Sequence, residues 1–248
     1  MTFPRSAGLA ALFLAAAVSL ASAADPLSPA QKDAVREVVR EYLMENPEVL
    51  IEALQAYEAR MAEDQQKQQQ AVLAQRKEQL ERDPTSPVGG APDGDVTLVE
   101  FTDYRCGYCK KVFPAVHDLL KADGGIRYVV KELPILGPES VVAARAALAV
   151  WRSTPAKYMP FHAALMTARG SLDETRILEI AAEVGIDSKA LMTAMRDPEI
   201  AAILGKNREL AQALNINGTP AFVIGGHLIP GAVEADTLRQ LVAAARKG

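Results

Sequence analysis

A buried strand, a helix and a second strand, arranged around two cysteines, constrain the fold of this chain more than any other feature. Val96 to Thr102, VTLVEFT, predicts a buried strand, because it is a short and nearly continuous run of apolar and β-branched residues. Cys106 to about Leu120 predicts a helix, and Ile126 to Lys131 predicts the next strand. A helix between consecutive strands is typical of a parallel crossover, so we expect an α/β domain.

Cys106 and Cys109 are the only cysteines in the chain. A disulfide between them would close so short a loop that it would scarcely restrict the unfolded chain, so stabilisation does not explain the pair. At the start of a helix, free N–H groups and the helix dipole would stabilise a thiolate on Cys106. We expect Cys106 to attack and Cys109 to resolve, with Gly107 leaving the backbone open to a substrate chain.

A metal site is the other interpretation of two cysteines at this spacing. Tetrahedral zinc needs four ligands, and the chain adds only His117, His162 and His227, with no close histidine pair. We therefore predict no metal site as the main role and no cofactor, although two thiolates could carry Cu(I). The net charge of −4 and an aromatic content of 5% give no reason to expect a nucleic-acid partner.

The first 23 residues have the pattern of a signal peptide. Arg5 precedes an apolar run, and Ala21-Ser22-Ala23 is a cleavage site of the A-x-A type. The apolar run is too short to span a bilayer comfortably, although an uncleaved membrane anchor is the alternative. The sequence thus predicts export to the periplasm, where reactive thiols would meet exported proteins.

Residues 24–82 predict an N-terminal helical arm. Ser28 to Gln31 has the pattern of a capping box, and Asn46-Pro47 predicts a second helix start. An apolar stripe with spacings typical of a heptad follows, formed by Leu50, Leu54, Tyr57 and Met61. The arm is either an oligomerisation stalk or a solvated helix. Residues 83–95, rich in Pro, Gly, Ser and Asp, predict a linker.

Residues 96–248 predict one domain that contains a helical insertion at about 139–214. Ser171 to Glu174 and Asp197-Pro198 both predict helix starts within the insertion. Gly225-Gly226 between two short β-like runs predicts a hairpin, and an amphipathic helix should follow it.

The stretch EFTDYRCGYCKKVFP, followed far downstream by GTPAFVIGG, resembles the thioredoxin superfamily. The predicted helices at 139–214 resemble the helical insertion of the DsbA family. The N-terminal YLMENPEVL further resembles the suppressor-of-copper-sensitivity C and Com1-like branch, whose members are exported thiol–disulfide oxidoreductases and in some cases trimers. The resemblance implies a thioredoxin fold with a helical insertion, preceded by a helical oligomerisation arm.

The resemblance also implies roles for single residues. Cys106 and Cys109 match the redox pair, and Pro220 matches the proline that is cis in this fold, where the alternative is a trans turn. Thr219 would offer its backbone to a substrate strand. Pro114 lies where thioredoxins have a helix-kinking proline, where the alternative is a helix that ends early.

Glu100 interrupts the apolar strand before Cys106, and a buried carboxylate is costly unless it is paired or protonated. In DsbA-like proteins a glutamate at this place lies beneath the cysteines and resembles a proton relay for the resolving thiol. Lys131, at the end of the next strand, is the expected partner. The alternative is a half-exposed glutamate at a sheet edge.

Gly107 and Tyr108 separate the cysteines, where the most oxidising relatives have Pro-His. Without a histidine, Cys106 should be less acidic than the DsbA value of about 3.5, and its disulfide less oxidising. Gly-Tyr also occurs in DsbC-type isomerases. We expect a disulfide isomerase or reductase, a homo-oligomer such as a trimer, reset by a membrane redox partner. The alternatives are a monomeric dithiol oxidase, a copper-binding protein and a structural scaffold.

Overall fold

The computed structural model describes residues 27–247, so the predicted signal peptide at 1–23 lies outside the described residues. The chain divides into two compact units, with the boundary between Arg60 and Met61. No helix of the described part is both long enough and apolar enough to cross a membrane.

The N-terminal region contains the two helices that the sequence predicts. Helix α1, Pro29–Glu45, begins with the predicted capping box, in which Ser28 Oγ accepts from Gln31 N–H and the Gln31 side chain accepts from Ser28 N–H. Helix α2, Glu48–Gln75, begins directly after Asn46-Pro47. The apolar stripe on α2 is more than half exposed in this single chain; it consists of Leu50, Leu54, Tyr57 and Met61.

A five-stranded mixed sheet forms the centre of the second unit, in the order β1-β3-β2-β4-β5. The strands are β1 Val88–Gly90, β2 Val96–Thr102, β3 Ile126–Glu132, β4 Ala221–Ile224 and β5 His227–Pro230. Strands β2 and β3 are parallel and the other pairs are antiparallel, which confirms the predicted crossover. Gly225 and Gly226 join β4 to β5 with φ angles of 54° and 76°, a region that favours glycine.

Helices cover both faces of this sheet and supply the insertion. They are α3 Lys77–Glu81, α4 Gly107–Ala122, α5 Pro138–Ser153, a 3-10 turn Pro155–Lys157, α6 Tyr158–Thr167, α7 Glu174–Glu183, α8 Ser188–Ala194, α9 Pro198–Ala213 and α10 Ala235–Ala245. Asp197 caps α9 as predicted. The cap of α7 is Asp173 rather than Ser171, because the Asp173 carboxylate accepts from Arg176 N–H.

The pleat of β2 and β3 divides the core into two layers. Leu98, Tyr128 and Val130 face the layer that contains both cysteines, α4 and most of the insertion. The alternate residues face the second layer, where Phe101 lies with Leu80 and the end of α9. Side chains of neighbouring residues therefore belong to different layers, as the period of two requires.

The structure places the beginning of the α/β domain earlier than the sequence predicts. Leu73 and Leu80, assigned to the arm, are buried in the second layer, and the predicted linker at 83–95 contains β1, which pairs with β3. The prediction was wrong here because Pro and Gly mark turns equally well inside a domain and between domains. A three-residue strand is also too short to show a period.

Leu80→Ala tests whether this segment belongs to the domain. Leu80 is 1% exposed, so we expect the substitution to lower the free energy of unfolding by about 2 to 5 kcal/mol. Urea denaturation of the reduced protein measures the change. Leu136→Ala is the matched control, since Leu136 is 51% exposed and its truncation should cost far less. Equal losses would contradict the assignment.

Candidate active site

Cys106 lies at the point where the chain leaves β2 and enters α4. It is the N-cap residue of α4, and its sulfur accepts from the N–H of Cys109 at 3.4 Å. The Cys106 Sγ also lies 3.0 Å from the carbonyl oxygen of Thr219. Cys109, one turn into α4, is fully buried, whereas Cys106 is 6% exposed. Both are free thiols. The geometry therefore gives Cys106 the more accessible sulfur.

The two thiols titrate very differently. A hydrogen bond from the Cys109 thiol lowers the pKa of Cys106 to about 5, against the opposing effect of burial. The same bond, together with burial, raises the pKa of Cys109 above its ordinary value. At neutral pH the pair therefore carries one thiolate, on Cys106, and one thiol, on Cys109.

The loop before β4 faces the cysteine pair. The Thr219–Pro220 peptide bond is cis, as the resemblance implies, and Pro220 is buried while Thr219 is half-buried. Gly107 and Tyr108 are exposed beside Cys106, and a Cβ atom on Gly107 would meet no other atom within 4 Å. An open groove of about 340 Å³ begins here; it is lined by Tyr108, Lys111, Val112, Ala115, Thr219 and residues 231–235.

Helix α4 continues past its internal proline. Pro114 lies inside the helix, which ends only at Ala122, so the alternative of an early helix end is wrong. The apolar face of α4 packs against the layer that contains the cysteines through Val112, Val116 and Leu119. The helix that carries the redox pair is thus anchored along its whole length.

Glu100 is buried beneath the cysteines and is 3% exposed, which excludes the half-exposed edge position. The Tyr128 hydroxyl donates to its carboxylate at 2.6 Å. Burial raises the pKa of Glu100 to about 7, and the nearby charge of Cys106 acts in the same direction. In turn, the Glu100 charge contributes to the raised pKa of Cys109. Glu100 and the dithiol are therefore electrostatically linked.

Lys131 is not the partner of Glu100, and that prediction was wrong. Lys131 is in register with Phe101, the neighbour of Glu100, so its side chain lies in the other layer of the core. Its ammonium donates to Gln79 O at 2.5 Å and to Ser86 Oγ at 2.7 Å. Burial lowers its pKa to about 8. Lys131 thus holds residues 79–86 against the sheet, in the core layer opposite to the one that contains Glu100 and the cysteines.

Sequence reasoning missed the residue that does contact Glu100, namely Tyr128. A signal for Tyr128 was available, since Tyr128, Val130 and Glu132 alternate along β3 and so share the face of Glu100. A second buried carboxylate, Glu132, follows on the same face. It accepts from the hydroxyls of Tyr104 and Tyr158.

Among residues 27–247, no three side chains of His, Cys, Asp or Glu come together as a metal site.

The family comparisons agree with the redox geometry. The model of the DSBA-like thioredoxin domain matches residues 97–243, which is more than half of the chain. The chain belongs to the DsbA-like thioredoxin family. A second model, the copper resistance protein ScsC N-terminal domain, matches residues 31–64.

Solved structures extend the comparison to both regions of this DsbA-like chain. A thioredoxin-like oxidoreductase from Silicibacter pomeroyi is 47% identical, with a TM-score of 0.66, and the match covers 69% of this chain and 98% of that one. ScsC of Proteus mirabilis, in a transitional conformation, is 35% identical with a TM-score of 0.67. That match covers 89% of this chain and 97% of ScsC.

Curated relatives are more distant. Disulfide bond formation protein D of Bacillus subtilis is 25% identical over 172 residues, which is 65% of this chain and 78% of that protein. The Na(+)/H(+) antiporter NhaA of Herminiimonas arsenicoxydans is 28% identical over 162 residues. The chain spans about a quarter of the length of the antiporters that it matches. The family membership and the dithiol geometry identify the DsbA-like domain as a thiol–disulfide oxidoreductase.

Alkylation should distinguish the two thiols. Because the pKa of Cys106 is lowered to about 5, its reaction with iodoacetamide should reach half its maximal rate near pH 5, as measured by mass spectrometry of quenched samples. Cys106→Ser is the matched control, since the buried Cys109 should then remain unmodified in the native protein. Faster labelling of Cys109 would reverse the two assignments.

Glu100→Gln should change how stability depends on pH. Because the pKa of Glu100 is raised to about 7 in the folded protein, its contribution to stability is fully present near pH 4 and is lost as the pH rises through about 7. Between pH 5 and pH 8 the free energy of unfolding of the reduced variant should fall by about 2 to 3 kcal/mol less than that of the wild type. Urea denaturation at the two pH values measures this, and equal losses would contradict a buried charge.

Proposed function

We propose that this protein is a periplasmic disulfide isomerase or reductase, which acts on exported proteins as a homo-oligomer. One observation carries the finer part of the proposal. The segment that matches the ScsC N-terminal domain carries an apolar stripe with heptad spacing, more than half of it exposed in a single chain. Such a stripe on a helix favours association with a second copy, because association removes apolar surface from water.

The chemistry begins at Cys106. Its thiolate attacks a sulfur of a substrate disulfide, and the second substrate sulfur leaves as a thiolate and takes up a proton. The substrate is now held by a mixed disulfide on Cys106. Gly107 and Thr219 flank that sulfur and allow an extended substrate segment to approach, with the backbone of Thr219 pairing to it as a local strand.

Two outcomes are open to the mixed disulfide. In reduction, Cys109 loses its proton and attacks Cys106, which oxidises the pair and releases the reduced substrate. A membrane redox partner then resets the pair. In isomerisation, another substrate thiol attacks first, and the pair remains reduced. Glu100 is the proposed proton acceptor for Cys109, since it is buried beside the pair and the pKa of Glu100 lies near neutrality.

The residues between the cysteines favour reduction and isomerisation of substrate disulfides over their formation. Tyr108 is exposed and supplies no positive charge to Cys106, in contrast to a histidine at that position. The pKa of Cys106, about 5, is above the value of about 3.5 for strongly oxidising DsbA, so the reduced form is stabilised less. A less oxidising pair suits an enzyme that must attack disulfides rather than donate its own.

A monomeric dithiol oxidase is the alternative, since the same site serves oxidation when the pair is kept oxidised. A copper-binding role is less well supported. The matched segment at 31–64 contains neither Cys nor His, and its soft ligands are two methionine thioethers, so the thiolates of Cys106 and Cys109 are the stronger Cu(I) ligands of the chain. Competition between Cu(I) and insulin reduction distinguishes this last possibility.

Charge placed on the stripe tests the oligomer directly. We expect Leu50→Glu, Leu54→Glu and Met61→Glu in one variant to give a monomer, because three buried carboxylates would oppose association. Light scattering at micromolar concentration measures the mass. The monomer should still reduce insulin, but its isomerisation of scrambled ribonuclease should fall about tenfold or more, since isomerisation needs several sites facing one substrate.

The matched control adds the same charge to the opposite face of α2, as Gln55→Glu, Ala59→Glu and Gln66→Glu. This control should keep both the mass and the isomerase activity of the wild type. If the wild-type mature protein is already a monomer, the oligomer proposal is wrong and the monomeric oxidase becomes the better interpretation.

A further inference from the structure

An open cavity of about 210 Å³ lies where strand β3 leads into α5, and the chemistry above does not use it. Its walls come from the segment between β3 and α5, from the first two turns of α5 and from one face of α9. Most of the wall is apolar and includes Leu133, Ile135, Val141 and Leu204. Val141 is 39% exposed, although its side chain is large and apolar. The cavity therefore presents apolar surface to water.

The cavity lies beside the turn that carries Cys106. Asp103 joins the two, because its carbonyl oxygen accepts from Cys106 N–H at 3.0 Å and its carboxylate accepts from Ile135 N–H at 2.8 Å. Leu133 N–H also donates to the carbonyl oxygen of Thr102 at 2.9 Å. The carboxyl ends of the parallel strands β2 and β3 thus lead to the redox pair and to the cavity at one edge of the sheet. An extended chain advances about 3.3 Å per residue, so a substrate segment held on Cys106 reaches the cavity within a few residues.

One residue of the cavity wall is a glycine inside a helix. Gly205 lies in the middle of α9, and its φ angle is not in the left-handed region. A Cβ atom on Gly205 would meet no other atom within 4 Å, so close packing does not require glycine there. Glycine in a helix interior is destabilising relative to alanine. Since neither the backbone nor the packing explains Gly205, the space that it leaves in the wall points to an occupant.

The charged residues of the wall are both arginines, Arg145 and Arg208. Arg145 donates through Nε and Nη2 to the carbonyl oxygen of Met195, at 3.1 Å and 2.5 Å, so its guanidinium is held in place. Arg208 is exposed. Neither arginine forms an ion pair with another residue of 27–247. Two such charges beside apolar surface favour an apolar side chain that has a carboxylate next to it.

We propose that this cavity is a second substrate subsite, which binds a large apolar side chain of the polypeptide held on Cys106. An acidic residue beside that side chain pairs with Arg208. Misfolded polypeptides expose large apolar side chains that folded ones bury. The subsite holds the substrate near Cys106 and takes no part in the exchange of sulfurs, a role that rests on the proposed reduction and isomerisation of protein disulfides. It favours unfolded chains over small disulfides as substrates.

Short peptides measure the preference of the subsite. Each peptide has one cysteine, in a mixed disulfide with nitrothiobenzoate. The Cys106 thiolate attacks the peptide sulfur, a new disulfide forms between them, and nitrothiobenzoate leaves as a coloured thiolate. Leu-Asp, Leu-Lys or Ser-Ser is placed at successive positions on either side of the cysteine. The wild type should react with the best-placed Leu-Asp peptide about tenfold faster than with the matching Ser-Ser peptide, because one leucine side chain leaves water.

Variants of α9 locate the preference. Gly205→Leu fills the cavity and should bring the Leu-Asp and Ser-Ser rates to within about twofold of each other. Gly205→Ala is the matched control, since it also removes a helix-interior glycine but leaves most of the cavity open, and it should keep the wild-type preference. Ala201→Leu, one turn earlier on the same face, should act as Gly205→Leu does. Arg208→Gln should lower only the preference for Leu-Asp over Leu-Lys.

Further measurements separate the subsite from the proposed function. Free dithionitrobenzoate should react with Cys106 at the wild-type rate in the Gly205 and Ala201 variants, and insulin reduction by the wild type tests the proposed function itself. Equal rates for all peptides, alongside normal insulin reduction, would overturn the subsite and leave the proposed function intact. A preference that persists in both Gly205→Leu and Ala201→Leu would also overturn the subsite.

The mass in solution distinguishes a substrate from a second copy of the chain as the occupant. Light scattering of Gly205→Leu should give the mass of the wild type, since the filled cavity lies outside the contacts between copies. A lower mass would assign the cavity to contact between copies and would overturn its role as a substrate subsite.

Discussion

The parallel pairing of β2 with β3 places alternate side chains of both strands on the same face of the sheet. Glu100 and Thr102 from β2 therefore share one face of the sheet with Tyr128 and Glu132 from β3, and Glu100 accepts from the Tyr128 hydroxyl there. A shift of β3 by one residue against β2 would move Tyr128 and Glu132 into the other layer and would leave Glu100 without its hydroxyl donor. The acid–base environment of the dithiol depends on this register.

The same alternation explains why one buried cation has no part at the site. Lys131 lies between Val130 and Glu132 in β3, yet its ammonium is in the opposite layer, bound to Gln79 and Ser86. There it satisfies a backbone carbonyl and a hydroxyl of the segment before β1. Its amine thus stabilises the start of the catalytic domain, while the carboxyl groups near the dithiol receive hydroxyl donors instead of a positive charge.

Hydroxyl donors and a positive charge have different consequences for the chemistry. A lysine beside Glu100 would hold the carboxyl ionised and lower its pKa, whereas Tyr128 leaves burial as the dominant effect and the pKa of Glu100 near 7. A carboxyl group with such a pKa both accepts and returns a proton at physiological pH. This reversibility suits an enzyme whose resolving thiol must be released and restored in every cycle.

Much of this protein follows from sequence alone, because the signals are local. The strand at Val96–Thr102, the helix start at Cys106, the capping box at Ser28 and the hairpin at Gly225-Gly226 depend on residues that are neighbours in the chain. The spacing of Cys106 and Cys109 likewise determines their relation, since one helical turn brings the two side chains together.

The tertiary structure decided what the sequence left open. Glu100 finds Tyr128 rather than Lys131, because strand pairing selects partners by face, and Glu132 meets Tyr158 only through the folding of the helical insertion. Leu80 and β1 join the domain because a sheet edge and an apolar layer were free to receive them. Contacts between residues distant in the chain leave no period or motif in it, so only their packing in three dimensions determines them.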